Sequence, residues 1–201
     1  MAAPASLRSA PTARWTLLLV APALVAYLLP GAGAAMVYDR SAIFAGELWR
    51  LVTGHWVHFS ASHLLWDTLV LSVTGWLIES RTYRHFAFLC LLSALAISLV
   101  MLISLPEMAT YGGLSGIAMA STVYLALHGW REAGPGRGMW LAILLLCAGR
   151  LLLDIWLGQF AVVHIDDSQV VPVPISHFIG AATGLLVYLW SITTNRSCGA
   201  N

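Results

Sequence analysis

Three short stretches carry side chains that could act on a substrate together. In Gly113-Leu-Ser115-Gly116 a serine sits between glycines where the apolar run 117–127 begins as a helix. A serine in the first helical turn has unpaired backbone N–H groups beside it and the positive end of the helix dipole behind it. That setting favours a nucleophilic oxygen and a developing oxyanion, and the glycines allow a substrate backbone to approach. His177 opens a later apolar run and is followed by Gly180 and Gly184, a spacing that lets two helices touch closely. His63 and Asp67 are four apart and share a helix face, with His58 just before them. Serine and histidine are the minimum for nucleophilic catalysis, the histidine taking the serine proton and returning it to the leaving amine. The Ser115 backbone N–H and His58 are candidate oxyanion donors, and Gly113, Leu114, His63 and Asp67 line the site.

Each stretch also has a simpler reading. Small residues at a helix start suit close helix packing. His58, His63 and Asp67 are a zinc-type donor set, or equally a buried polar network tying a loop to a helix. They lack the H-E-x-x-H base and have no further ligand cluster elsewhere, so no metal and no cofactor is expected. Arg150 and Asp154, also four apart, read as a structural pair. His128 and His164 fall at span ends and read as solvated.

The elements that must position these residues are apolar helices. Of 201 residues 59% are hydrophobic and only 9% charged, against about 25% charged in soluble domains. The chain is therefore read as an integral membrane protein. Net charge is +1, so nothing points to nucleic acid or an acidic partner. Cys90, Cys147 and Cys198 have no metal-ligand spacing and read as apolar fillers.

Six apolar segments are expected to span the membrane: 15–30, 63–78, 85–105, 113–127, 139–160 and 175–192. The first is short and follows positive charge, as a signal peptide would, but further spans make it a first transmembrane helix. Several are short for a hydrocarbon core of about 30 Å, which implies local thinning or internal burial. Residues 31–62 form a structured, aromatic loop at the outer interface. Pro106–Gly112 reads as a short turn, and 161–174 as an acidic loop with Asp166 and Asp167. Arg8, Arg14, Arg81, Arg84, Arg131, Arg137 and Arg196 fall on one side and Arg40 and Arg50 on the other. Seven against two puts both termini in the cytoplasm. The organisation expected is a cytoplasmic tail at 1–14, a single membrane domain at 15–192 and a second tail at 193–201.

Four motifs in order resemble the rhomboid intramembrane serine proteases. Trp49-Arg50 matches the family's W-R pair. His58-x4-His63-x3-Asp67 matches H-x4-H-x3-N, Gly113-Leu-Ser115-Gly116 matches G-x-S-G, and His177-x2-Gly180-x3-Gly184 matches H-x2-G-x3-G. The resemblance implies an all-α, six-helix bundle with a membrane-embedded first loop and a dyad of Ser115 as nucleophile and His177 as base. His58 would be an oxyanion donor and His63 a structural or water-retaining residue. Position 67 departs from the family, which has an oxyanion-donating Asn there. An ionised Asp only accepts; it would serve if protonated, which burial favours, or if paired with His63. The small size and the stretches Tyr111-Gly-Gly-Leu-Ser-Gly and His63-Leu-Leu-Trp-Asp67 resemble the bacterial rhombosortase branch, which is thought to process C-terminal Gly-Gly sorting tails.

The resemblance thus implies an endopeptidase cutting membrane-anchored protein substrates, in a multi-pass protein of the bacterial inner membrane. Its partners would be lipid and those substrates; the sequence does not specify an oligomer. The alternative is an inactive relative that binds transmembrane segments, although such relatives usually lose the serine or the histidine. A transporter or haem-binding bundle would leave the G-x-S-G turn without a purpose.

Overall fold

The computed structural model describes residues 13–157 and 173–197. His164, Asp166, Asp167, Cys198, Arg8, most of the first expected tail and the last four residues of the second lie outside the described residues. The chain begins with α1 (Arg14–Leu28), an apolar helix of 15 residues. A chain of short pieces follows: α2 (Ala32–Met36), β1 (Tyr38–Asp39), α3 (Arg40–Phe44), α4 (Arg50–Thr53) and a 3-10 turn at Gly54–Trp56. Then come α5 (Ala61–Ser80), α6 (Phe86–Ser104), β2 (Thr110–Tyr111), α7 (Ser115–Glu132), α8 (Arg137–Leu157) and α9 (Ile175–Ser197). Each of the six expected apolar segments is thus largely helical over its described residues, 158–160 of the fifth lying outside them. Among the described residues four helices, within α5, α6, α8 and α9, are long and apolar enough to cross a membrane.

α7 sits in the middle, packed against α5, α6, α8 and α9. Its composition explains why it can. Gly116, Ala118, Ala120, Ser121 and Ala126 are small and buried, so neighbouring backbones approach it directly. α9 makes the most extensive contact. A Cβ added at Gly184 would stand 2.5 Å from the Ala120 carbonyl oxygen, and one at Gly116 would stand 2.8 Å from that of Ser176. A Cβ at Gly180 would land on the Gly116 carbonyl. Only hydrogen fits at these positions. α8 faces outward instead, exposing Leu145, Leu146, Leu152, Ile155 and Trp156, an apolar surface suited to lipid.

Polar caps set the helix ends. Ser60 accepts the His63 N–H at 3.2 Å and starts α5. α1 has no cap of its own; the Glu79 carboxylate, from the far end of α5, accepts from Trp15 N at 3.0 Å, Thr16 N at 3.0 Å and Thr16 Oγ1 at 2.7 Å. An anion at a helix N-terminus satisfies orphan donors and opposes the dipole.

The all-α reading stands, and the structure adds one short pairing to it and corrects the sequence reading in two places. β1 and β2 pair antiparallel, Tyr38 opposite Tyr111 and Asp39 opposite Thr110. That two-residue ladder ties the expected loop at 31–62 to the expected Pro106–Gly112 turn, and is too short to show as alternation. The fourth helix runs on to Glu132, past the apolar stretch. His128 on that extension is not solvated: it is buried, its Nε2 lies 3.1 Å from Ser191 Oγ, and it stacks on Tyr83 at 4.5 Å.

Gly184→Ala forces α7 and α9 apart and costs about 1–3 kcal/mol, the usual range for overpacking. Unfolding in detergent measures it, and an unchanged stability would contradict the backbone contact.

Candidate active site

Ser115 is the first residue of α7 and is half-buried, with Leu114 as the residue before the helix. Its first-turn N–H groups lack intrahelical partners, as at any helix start. Gly113 is required twice over. Its φ is +128°, and a Cβ there would stand 2.7 Å from His63 Nε2. The preceding segment is anchored on both sides: β2 pairs with β1, and the Gly113 carbonyl lies 3.2 Å from His55 Nδ1. His55 Nε2 lies 3.0 Å from the Ala94 carbonyl on α6.

His58, His63 and Asp67 meet in one node. Asp67 Oδ2 is 3.2 Å from His58 Nε2, 3.1 Å from His63 Nε2, and accepts the Leu114 N–H at 2.8 Å. Counting protons constrains the charges. His58 Nδ1 lies 3.1 Å from the Trp56 carbonyl, which can only accept. Its Nε2 faces a carboxylate. One ring donates from both nitrogens only as an imidazolium; otherwise Asp67 supplies the missing proton. The node therefore holds either a charged His58–Asp67 pair or a neutral His58 beside a carboxylic acid. His63 Nδ1 is buried with no partner among the described residues, which suits a ring that donates from Nε2. The donor atoms of the three side chains lie within 4.8 Å of one another, a span a divalent cation could occupy. Oδ2 is already surrounded by the two imidazole nitrogens and the Leu114 N–H, which a cation would have to displace.

His177 lies in the first turn of α9 and is half-buried. The Gly116–Ser176 contact joins the residues next to Ser115 and His177, so the starts of α7 and α9 lie side by side. His177 Nδ1 is 2.7 Å from Asp154 Oδ2 on α8, and Asp154 Oδ1 is 3.0 Å from Arg150 Nε. The Arg150–Asp154 pair expected from spacing is present, but the link to His177 was missed. The available signal was the cost of a carboxylate in an apolar helix, which calls for more than one partner. Gly180 and Gly184 lie in the α7–α9 contact, as their spacing suggests. Trp49 and Arg50 serve the first loop: Arg50 pairs with Glu47 at 2.6 Å and donates to the Ala34 and Val37 carbonyls at 3.0 and 2.8 Å. Trp49 Nε1 donates to Ala35 O at 3.3 Å.

A family model described as Rhomboid domain matches residues 45–193. The chain is 30% identical over 147 residues to the Rhomboid protease GlpG of Photorhabdus laumondii subsp. laumondii, a match covering 72% of this chain and 48% of that protein. It is 30% identical over 148 residues to the Rhomboid protease GlpG of Serratia proteamaculans, with the same shares covered. The chain spans about half the length of the curated relatives it matches.

His55 yields a test of how the Gly113 loop is held. Burial pushes its imidazole down from 6.5 to about 4. The unfolded chain takes up the proton as pH falls through 6.5, whereas the folded protein does so only near 4. Stability is therefore complete above pH 6.5 and is lost between there and about pH 4, by about 3 kcal/mol from this group. Unfolding in detergent across that range should show the slope, and His55→Gln should remove this part of it. An identical slope in the variant would contradict the assignment.

Proposed function

The chain belongs to the rhomboid family, and we propose that it is an intramembrane serine endopeptidase working through Ser115 and His177. The observation that carries this reading is the glycine-mediated contact of α7 with α9, which sets the starts of the two helices together. Ser115 Oγ attacks the scissile carbonyl carbon while His177 Nε2 takes its proton. The tetrahedral oxyanion collapses, the C–N bond breaks, and His177 returns the proton to the leaving amine. Water then attacks the acyl-serine with His177 again as base, releasing the acid and restoring Ser115. Only Nε2 is suited to this exchange, because Nδ1 is engaged by Asp154.

The oxyanion would draw on the first-turn N–H groups of α7, beginning with that of Ser115. The Leu114 N–H and His58 Nε2 already face Asp67 Oδ2, so either could contribute only by sharing with that oxygen or leaving it. Asp67 serves as the acceptor that orders His58, His63 and the turn.

In the wider arrangement six helices span the membrane, with α1 and α7 joining the four longer apolar ones, and both termini are cytoplasmic. The seven-to-two arginine asymmetry supports this orientation. The substrates are membrane-anchored proteins in the inner membrane of a bacterium. Tyr111-Gly-Gly-Leu-Ser-Gly and His63-Leu-Leu-Trp-Asp67 support a rhombosortase-like role on C-terminal Gly-Gly sorting tails.

A fluorophosphonate probe should label the purified wild-type protein in detergent, and Ser115→Ala and His177→Ala should lose labelling while remaining folded. Labelling that persists in Ser115→Ala refutes the nucleophile. A folded wild-type protein that takes no label favours the binding-only relative.

A further inference from the structure

We propose that Asp154 is a positioning residue for His177, making the site a Ser-His-Asp triad rather than a dyad. The inference rests on the protease reading above and adds a third member, supplied by α8. The Asp154 side chain is 4% exposed and that of His177 13%, and their separation of 2.7 Å is the shortest of the histidine–carboxylate contacts among the described residues. Both carboxylate oxygens have a partner. Oδ1 lies 3.0 Å from Arg150 Nε, one helical turn back on the same face, and Oδ2 lies against His177 Nδ1. Paired with Arg150 through Oδ1, the Asp154 carboxylate presents Oδ2 to the ring as an acceptor. Nδ1 therefore carries the hydrogen, and the Nε2 lone pair is left to act as base.

The same contact does two further things. It fixes the ring's rotation about its Cβ–Cγ bond, which no residue of α9 itself is seen to do. It also places a negative charge behind the imidazolium that forms when Ser115 gives up its proton, as in serine hydrolases on unrelated folds. Among the described residues, the charged groups that bear on His177 are Asp154 and Arg150 on α8 and Asp67 on α5, and only Asp154 is in hydrogen-bond contact with the ring. α8 is otherwise the most outward-facing of the long helices, so its one buried carboxylate has a local purpose.

The test is the rate of fluorophosphonate labelling of the full chain in detergent, with unfolding followed in parallel. Asp154→Asn keeps the volume but permits the wrong tautomer. Labelling should slow at least about tenfold with probe affinity unchanged, and Asp154→Glu should recover part of the rate. Asp154→Asn labelling at the wild-type rate overturns the proposal. So does a slow variant whose loss lies wholly in probe affinity. Should Asp154→Asn not fold, the wild-type protein decides: nitrogen-15 NMR of His177 should show a protonated Nδ1 and a bare Nε2, and the reverse tautomer overturns the proposal. A wild-type protein that takes no label removes the protease reading, while the tautomer still reports whether Asp154 sets the ring.

Discussion

The fold depends on α7 and α9 touching backbone to backbone. Helices in lipid gain little from hiding apolar side chains, because the lipid is equally apolar. What holds them is close dispersion contact and the polar bonds that closeness permits. Gly116, Gly180 and Gly184 give up side chains on one seam, and Ala120 keeps the opposing surface flat. The register this imposes also serves polar groups on these helices and on α6. Ser93 on α6 meets Thr183 on α9 at 2.8 Å, and His128 on α7 meets Ser191 at 3.1 Å. A shift by one residue would separate both pairs and drive a Cβ into a carbonyl.

Buried charge is the second organising constraint. Among the described residues, each buried carboxylate is placed where several donors converge. Asp67 draws on two imidazoles and a backbone N–H, and Asp154 on an arginine and an imidazole; the half-buried Glu79 draws on the start of α1. A charge in a dry interior is tolerated only when its lone pairs are filled. The Asn-to-Asp departure at position 67 is intelligible in these terms. An Asn offers one accepting oxygen and two donors, and a donor aimed at His63 would need that ring to accept. An Asp removes this ambiguity and binds both rings through one oxygen.

Much of this was legible in the sequence because it is carried by residue type and spacing. The six apolar segments, the serine turn and the glycines after His177 each state their geometry locally. The i, i+4 relation of Arg150 and Asp154 was readable for the same reason. What escaped was pairing across helices. Asp154 meets His177 only after α8 and α9 have packed, and no spacing along one helix encodes that meeting. His128 was misjudged because α7 extends beyond its apolar stretch and Tyr83 covers the extension. The β1–β2 ladder is too short to have a period at all.

The seam between α7 and α9 bears on how the chain is assembled during synthesis. α9 follows α7 and α8 in the chain, yet it supplies the surface against which α7 is most closely fitted. Until α9 enters the bilayer, α7 presents a strip of exposed carbonyls and small side chains with nothing against it, and Ser93 and His128 lack their hydroxyl partners. The nascent bundle must persist in a loosely packed form while roughly forty further residues emerge, a wait of several seconds at ordinary rates of translation. Ser115 spends that interval without His177 beside it, so the serine–histidine pair proposed above is assembled only as α9 docks.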